Sequence, residues 1–196
     1  MSTNAKNPNV IITPVFRVAY PKVFKPESYK GGKPQYSMTM IFDKDTDLTE
    51  LKTAIVKLAK EKFPDIKNLK ALSPIKDGNT DKISEKTGEV PKMYVDKIVV
   101  NTSNKIRRPD ILDAKKKPLL EEADFYAGCY ARASVTLFAY SNIKTGISVI
   151  LNNIQKVRDG EPLVGVVTNA EDDFDVINTA NDDDIQPDES AYADLV

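Results

Sequence analysis

The sequence predicts a mainly β protein built from five strands, with one helix inserted between an early and a middle strand. Three observations carry that expectation. Stretches rich in β-branched and aromatic residues, some strictly alternating, recur at 10–20, 36–42, 93–101, 125–140 and 146–157. Only one stretch, after Asp47, has helical spacing. Charge then divides the chain: 28 basic and 17 acidic residues lie up to Arg158, and twelve acidic and no basic residues follow it. The formal net charge of -1 therefore joins a body of +11 to a tail of -12.

Residues 1–9 are polar and read as a flexible arm. Val10 to Tyr20 is the first strand, with Pro14 at a bulge or edge position. Pro21 to Pro34 reads as a loop in which Lys22, Lys25, Lys30 and Lys33 surround Phe24 and Tyr29. In the next strand Tyr36, Met38, Met40 and Phe42 share one face, and Ser37 and Thr39 the other. Asp47 and Glu50 have capping-box spacing, and Leu48, Leu51, Ile55, Leu58 and Ala59 form the apolar stripe of a helix closed by Phe63-Pro64. Residues 66–91 are polar, punctuated by Lys76-Asp77-Gly78-Asn79 and Thr87-Gly88, and read as an excursion between core elements. Met93 to Asn101 is a strand, and residues 102–124 are a second polar stretch holding Arg107-Arg108-Pro109 and Lys115-Lys116-Lys117. Two long strands, joined across Ser141 to Thr145, complete the set. The pattern fits an OB-type five-stranded Greek-key barrel with long binding loops over residues 10–170, followed by an acidic, disordered tail over 171–196.

Composition narrows the chemistry. With no histidine and one cysteine, Cys129, the chain cannot form an intramolecular disulfide or an ordinary transition-metal site. It also lacks the commonest general acid–base. The small apolar neighbours of Cys129 mark a buried thiol. Asp43, Asp45 and Asp47 are spaced like the start of a calcium loop, but Leu48 and Ala54 stand where glycine and glutamate are required. Gly31-Gly32-Lys33 lacks the spacing of a phosphate loop. No catalytic centre, metal or cofactor is expected. The polar N-terminus and the lack of a long apolar run predict no membrane association and a soluble intracellular protein.

The stretch 125–140 carries most chemistry. Its odd positions are apolar and mostly small, and its even positions are Tyr126, Gly128, Tyr130, Arg132, Ser134, Thr136, Phe138 and Tyr140. Rings, a cation and hydroxyls on one face suit a single nucleic-acid strand, whose bases stack while its phosphates are neutralised. Tyr126, Tyr130, Arg132 and Tyr140 are the first candidates; the bland alternative is rings that merely cover the barrel. Arg107 and Arg108 offer bidentate phosphate contacts, and Lys76 and Lys33 lie in basic loops. In the tail, Phe174, Asp182, Asp183, Asp184, Tyr192 and Leu195 combine acidity with apolar anchors suited to docking a protein partner.

Tyr126-Ala127-Gly128-Cys129-Tyr130, Gly146-Ile147-Ser148, Leu151 to Val157 and Asp159-Gly160-Glu161-Pro162-Leu163 together resemble a family of bacteriophage single-stranded DNA-binding proteins. Tyr20-Pro21 with Phe24, Lys76-Asp77-Gly78 and Arg108-Pro109 agree with that resemblance, which covers residues 10–175. It implies an OB barrel, sequence-independent binding of single-stranded DNA in phage replication and recombination, and an acidic tail. Such tails often finish on an aromatic residue; this one ends Tyr192-Ala193-Asp194-Leu195-Val196. Expected partners are single-stranded DNA, phage or host replication proteins through the tail, and further copies along the strand. Two other classes compete: an assembly protein whose basic body holds an acidic partner, and a nuclease working through carboxylates and a metal ion.

Overall fold

In the computed structural model, residues 10–28, 31–84, 87–142 and 144–163 are described. The arm expected at 1–9 and the tail residues Phe174, Asp182, Asp183, Asp184, Tyr192 and Leu195 lie outside them.

All eight strands belong to one sheet. They are β1 (Val10–Ile12), β2 (Phe16–Glu27), β3 (Gln35–Asp43), β4 (Ile75–Asp77), β5 (Lys97–Asn104), β6 (Asp110–Leu112), β7 (Tyr130–Ser141) and β8 (Thr145–Arg158). β2 pairs with β3, β3 with β5, β5 with β8, β8 with β7, and β7 again with β2, so five strands close a circuit. The β5–β8 contact is parallel and the others are antiparallel. This is the expected OB barrel. β1 and β2 pair with successive stretches of β7 and act as one strand broken at residues 13–15, where Pro14 withholds a ladder N–H. Thr13 bridges the break, donating its N–H to the Ala133 carbonyl and accepting from the Ala133 N–H through Oγ1.

The barrel is filled by alternate residues of each strand: Phe16 and Val18, Met38, Met40 and Phe42, Val100, Ala131, Ala133 and Val135, and Ile147, Val149, Leu151 and Ile154. The expected inward face of β3 is therefore correct. The helix α1 (Thr49–Lys62) lays Leu51, Ile55 and Ala59 onto the same core. Two shorter helices, α2 (Leu69–Leu72) and α3 (Gly78–Asp81), flank β4. Among the described residues, no helix is long and apolar enough to cross a membrane.

Five local readings change. The strand expected from Met93 begins only at Lys97 and runs to Asn104, and Lys92–Tyr94 before it form a 3₁₀ turn. The Asp47–Glu50 capping box is absent: Leu48 is the N-cap because its side chain is drawn into the core, 2% exposed. Asp47 still accepts from the Thr49 N–H at 2.9 Å. The presumed loop after Pro21 is largely strand, since β2 runs to Glu27 across a kink at Tyr20, whose φ is +48°. The two polar stretches hold the short strands β4 and β6, which pair with β5 and β8. Finally, β7 starts at Tyr130, five residues later than the alternation suggested. Gly128 sits at φ +117°, and a Cβ there would collide with the Glu161 carbonyl, so the chain turns sharply before the strand begins.

Candidate nucleic-acid interface

The outward residues of the barrel set the site. On β3 and β5, Thr39 and Asn101 are joined by a 2.9 Å side-chain hydrogen bond, flanked by Ser37 and Ser103. Outward on the neighbouring β8 and β7 are Ser148, Phe138 and Tyr140. A cleft of about 610 Å³ runs over Tyr20, Ser37, Asn101, Ser103 and Ser148 and reaches Lys82 and Tyr94. A second, of about 490 Å³, continues over Lys105, Phe138 and Tyr140. Gln35, Ser103 and Ser148 line both, so the two form one groove across β2, β3, β5, β8 and β7. Its floor is hydroxyl and amide; its ends are aromatic and cationic.

The excursion between β4 and β5 builds one wall. Ala19, Ile41, Tyr94 and Val99 form a small second core outside the barrel, with Val90, Met93 and Leu163 packed on it. A Cβ on Gly78 would strike the Tyr94 carbonyl, so only glycine permits that approach. Asn79 and Asp96 fasten the excursion by two reciprocal bonds, at 3.0 and 2.9 Å. Hydrogen bonds from Asn79, and next from Lys44, hold the Asp96 carboxyl below its usual range. Burial and Tyr20 push the Tyr94 phenol up to about 12, so it stays protonated. Lys82 lies 5.7 Å from the Tyr94 ring centroid. Its pKa is lowered by burial first and by Lys76 second, which places two cations together at this end. Among the described residues, Lys76, Lys82 and Lys105 form no ion pair.

The sequence candidates fall in three places. Tyr140 lines the groove, its ring lying over Gly146. Lys33 is exposed two residues before Gln35, and Lys76 is at the Lys82 end. Arg107 and Arg132 lie along the β8 strand farther on. Arg107 donates to the Asn152 carbonyl and Asn153 Oδ1, and Arg132 to Gln155 Oε1 at 2.9 Å. Arg108 covers the Phe24 ring at 5.0 Å.

Tyr126 and Tyr130 lie elsewhere, where the chain leaves β8. The Tyr126 hydroxyl meets Asp159 Oδ1 at 3.0 Å and the Gly160 carbonyl at 2.9 Å. Lys156 sits over its ring and pairs with Asp159 at 2.7 Å. The Arg158 guanidinium lies 3.4 Å from the Tyr130 ring centroid and covers one face. Arg17 donates to the Glu161 carbonyl at 2.6 Å, and the Leu163 N–H to the Ala127 carbonyl at 2.9 Å. These contacts strap residues 159–163 across the barrel. Cys129 is buried beneath them, its thiol pushed up to about 11 by desolvation.

The sequence reading missed Tyr20, Lys82, Tyr94 and Lys105. One signal was present: Ile41 and Val99 are apolar where strict alternation calls for polar residues, which marks an outer face that something covers.

The protein resembles others in sequence and fold. A relative described as "Putative protein p50", from Acyrthosiphon pisum secondary endosymbiont phage 1, is 27% identical over 175 residues, covering 86% of this chain and 94% of its own. A solved structure of the single-stranded DNA-binding protein from bacteriophage Enc34 in complex with ssDNA aligns with a TM-score of 0.70 at 23% identity, covering 81% of this chain and 91% of that one. The fold also matches gp2.5, a single-stranded DNA-binding protein encoded by bacteriophage T7, with a TM-score of 0.53 at 15% identity over 80% of this chain and 90% of that one. The family model described as Enterobacter phage Enc34, ssDNA-binding protein, matches residues 9–186, and this chain belongs to that family.

Proposed function

We propose that the protein binds single-stranded DNA without sequence preference, in the groove across the outer face of the barrel, during phage replication and recombination. The observation that carries this is the groove's composition: rings at its ends beside Lys82 and Lys105, which form no ion pair among the described residues, with hydroxyl and amide groups between and a single carboxylate, Glu27, paired with Lys22 at 2.8 Å. Tyr20, Phe138 and Tyr140 supply stacking surfaces, and Lys82, Lys76, Lys105 and Lys33 neutralise phosphates. Arg107 and Arg132 extend the path along β8. Tyr126 and Tyr130 hold the strap and act on DNA only through it. The groove mixes stacking with counterion release, a combination that tolerates any base order.

The tail modulates this binding. Leu163, the last described residue before the acidic segment, packs on the cluster that includes Tyr94. Residues 171–196 compete for the groove and are available to protein partners when DNA is bound.

A salt titration of binding to an oligo-dT strand and to duplex DNA, with and without residues 171–196, tests both statements. Affinity should fall with salt at about -0.7 in log–log slope per phosphate neutralised. Tail removal should tighten binding, most at low salt. Affinity for oligo-dT that ignores salt, or none at all, would sink the groove reading. Unchanged affinity after truncation removes the competition.

A further inference from the structure

The connection between β5 and β6 carries an isoleucine where a surface turn ordinarily carries a polar residue. Ile106 is 96% exposed and stands between Lys105 and Arg107-Arg108. The turn beneath it is pinned at two points. Asn104 is buried; its Nδ2 donates to the Leu151 carbonyl at 2.8 Å, and its Oδ1 accepts from the Ile106 and Arg107 N–H groups at 2.9 and 3.1 Å. Arg107 then donates through Nη2 to the Asn152 carbonyl at 3.1 Å and to Asn153 Oδ1 at 2.8 Å. Both anchors lie on β8, so the turn keeps its shape without help from the Ile106 side chain. Branching at Cβ stiffens that side chain further.

Ile106 lines the cleft of about 490 Å³ together with Phe138 and Tyr140. β8 lies between β5 and β7 and pairs with both. An apolar tip past the end of β5 therefore faces two rings on β7 across the groove, with Ser148 of β8 between them. Neutralising phosphates has no use for an isoleucine set between two cations. Separating stacked bases does, since a rigid apolar side chain can enter a base step.

We propose that Ile106 is a wedge that enters between two successive bases of a strand lying in the groove. One of those bases stacks on Phe138 or Tyr140, and Lys105 and Arg107 meet the phosphates beside the opened step. The wedge rests on the groove being the DNA path and adds a means of unstacking the strand. Burial of the isoleucine is gained at the expense of base–base stacking, so strands that stack weakly should bind best. That preference follows stacking strength and reads no base edge.

Methyl NMR on the full chain, with the isoleucine δ1-methyls labelled, tests the contact. The Ile106 signal, identified by its loss in Ile106→Leu, should move upfield with saturating oligo-dT, because a methyl between two bases is shielded by both rings. It should stay in place with an abasic strand of equal length. Ile106→Ser should lose about tenfold or more in affinity for oligo-dT and less for the strongly stacked oligo-dA, whereas Ile106→Leu should keep both affinities. An unmoved methyl at saturation, an equal shift with the abasic strand, or equal losses on the two oligonucleotides would overturn the wedge. The Phe138 ring signals in the same samples separate this from the groove reading. If they move with oligo-dT and the methyl does not, the groove stands and the wedge falls; if neither moves, both fall.

Discussion

Phe138→Ala and Tyr130→Ala separate the groove from the strap. Both rings lie on the outward face of β7, and the sequence alone ranked Tyr130 the higher. Phe138 is 54% exposed and lines the groove, with no polar atom committed elsewhere. Tyr130 already has the Arg158 guanidinium on one face, 3.4 Å from its centroid. Losing one stacked base removes about 1–3 kcal/mol, so Phe138→Ala should weaken binding about 5- to 150-fold. No charge is removed, so the salt slope should stay as it was. Tyr130→Ala should leave affinity within about twofold but strip the support from Arg158, at a cost of about 1–3 kcal/mol. In a body of this size that is a fall in Tm of roughly 2–12 °C. Fluorescence anisotropy on labelled oligo-dT at several salt concentrations, with a thermal melt of each variant, reads all four quantities. If Tyr130→Ala loses affinity while remaining as stable as the parent, and Phe138→Ala binds normally, DNA follows the strap end of the barrel and the groove assignment is wrong.

Lys82→Gln should make the salt slope shallower by about 0.7, one phosphate's worth. Because burial lowers the Lys82 pKa, its cation is lost at lower pH than an ordinary lysine's, so binding should weaken there in the parent and not in the variant; the same titration favours the folded state, since the unfolded chain holds that proton more tightly. Gly78→Ala should destabilise the protein by about 3 kcal/mol or more, because the obstruction is the Tyr94 backbone carbonyl; a melt within 2 °C of the parent, about 1 kcal/mol, would contradict that. Hydrogen bonds from Lys156 and then Tyr126 lower the Asp159 pKa. Its contribution to the strap is complete above the unfolded value near 3.9 and disappears as pH falls through the lower folded value, so amide protection at Leu163 should be lost in acid and Asp159→Asn should remove that dependence.

The strands were readable wherever one face met the core, as the alternation of Tyr36 to Phe42 shows. Period-two reading failed at Gly128, because alternation in sequence continues through a turn that alternation in space does not. The helix start failed for a different reason: Asp47 and Glu50 have ideal cap spacing, but burying Leu48 outweighs one capping bond. The wall of the groove was illegible for want of periodicity. Lys82 and Tyr94 lie in a polar excursion, and their place is fixed by distant residues, Ala19, Ile41 and Val99, that show in sequence only as breaks in two strand patterns.

The change of charge at Arg158 now has a structural counterpart. Arg158 is the last residue of β8 and the last basic residue of the chain, and its side chain is spent on Tyr130. Lys156, two residues earlier, is spent on Asp159 and on the Asp124 carbonyl. The basic residues nearest the boundary therefore fasten the strap that leads toward the acidic segment. The groove cations come from elsewhere: Lys33 from the β2–β3 connection, Lys76 and Lys82 from β4 and the excursion after it, and Lys105 from the β5–β6 loop. A net charge counted along the chain merges these two sets, yet they should respond differently to substitution. Neutralising Arg158 should loosen the strap and leave the salt slope intact, whereas neutralising Lys82 or Lys105 should change the slope and leave the strap in place.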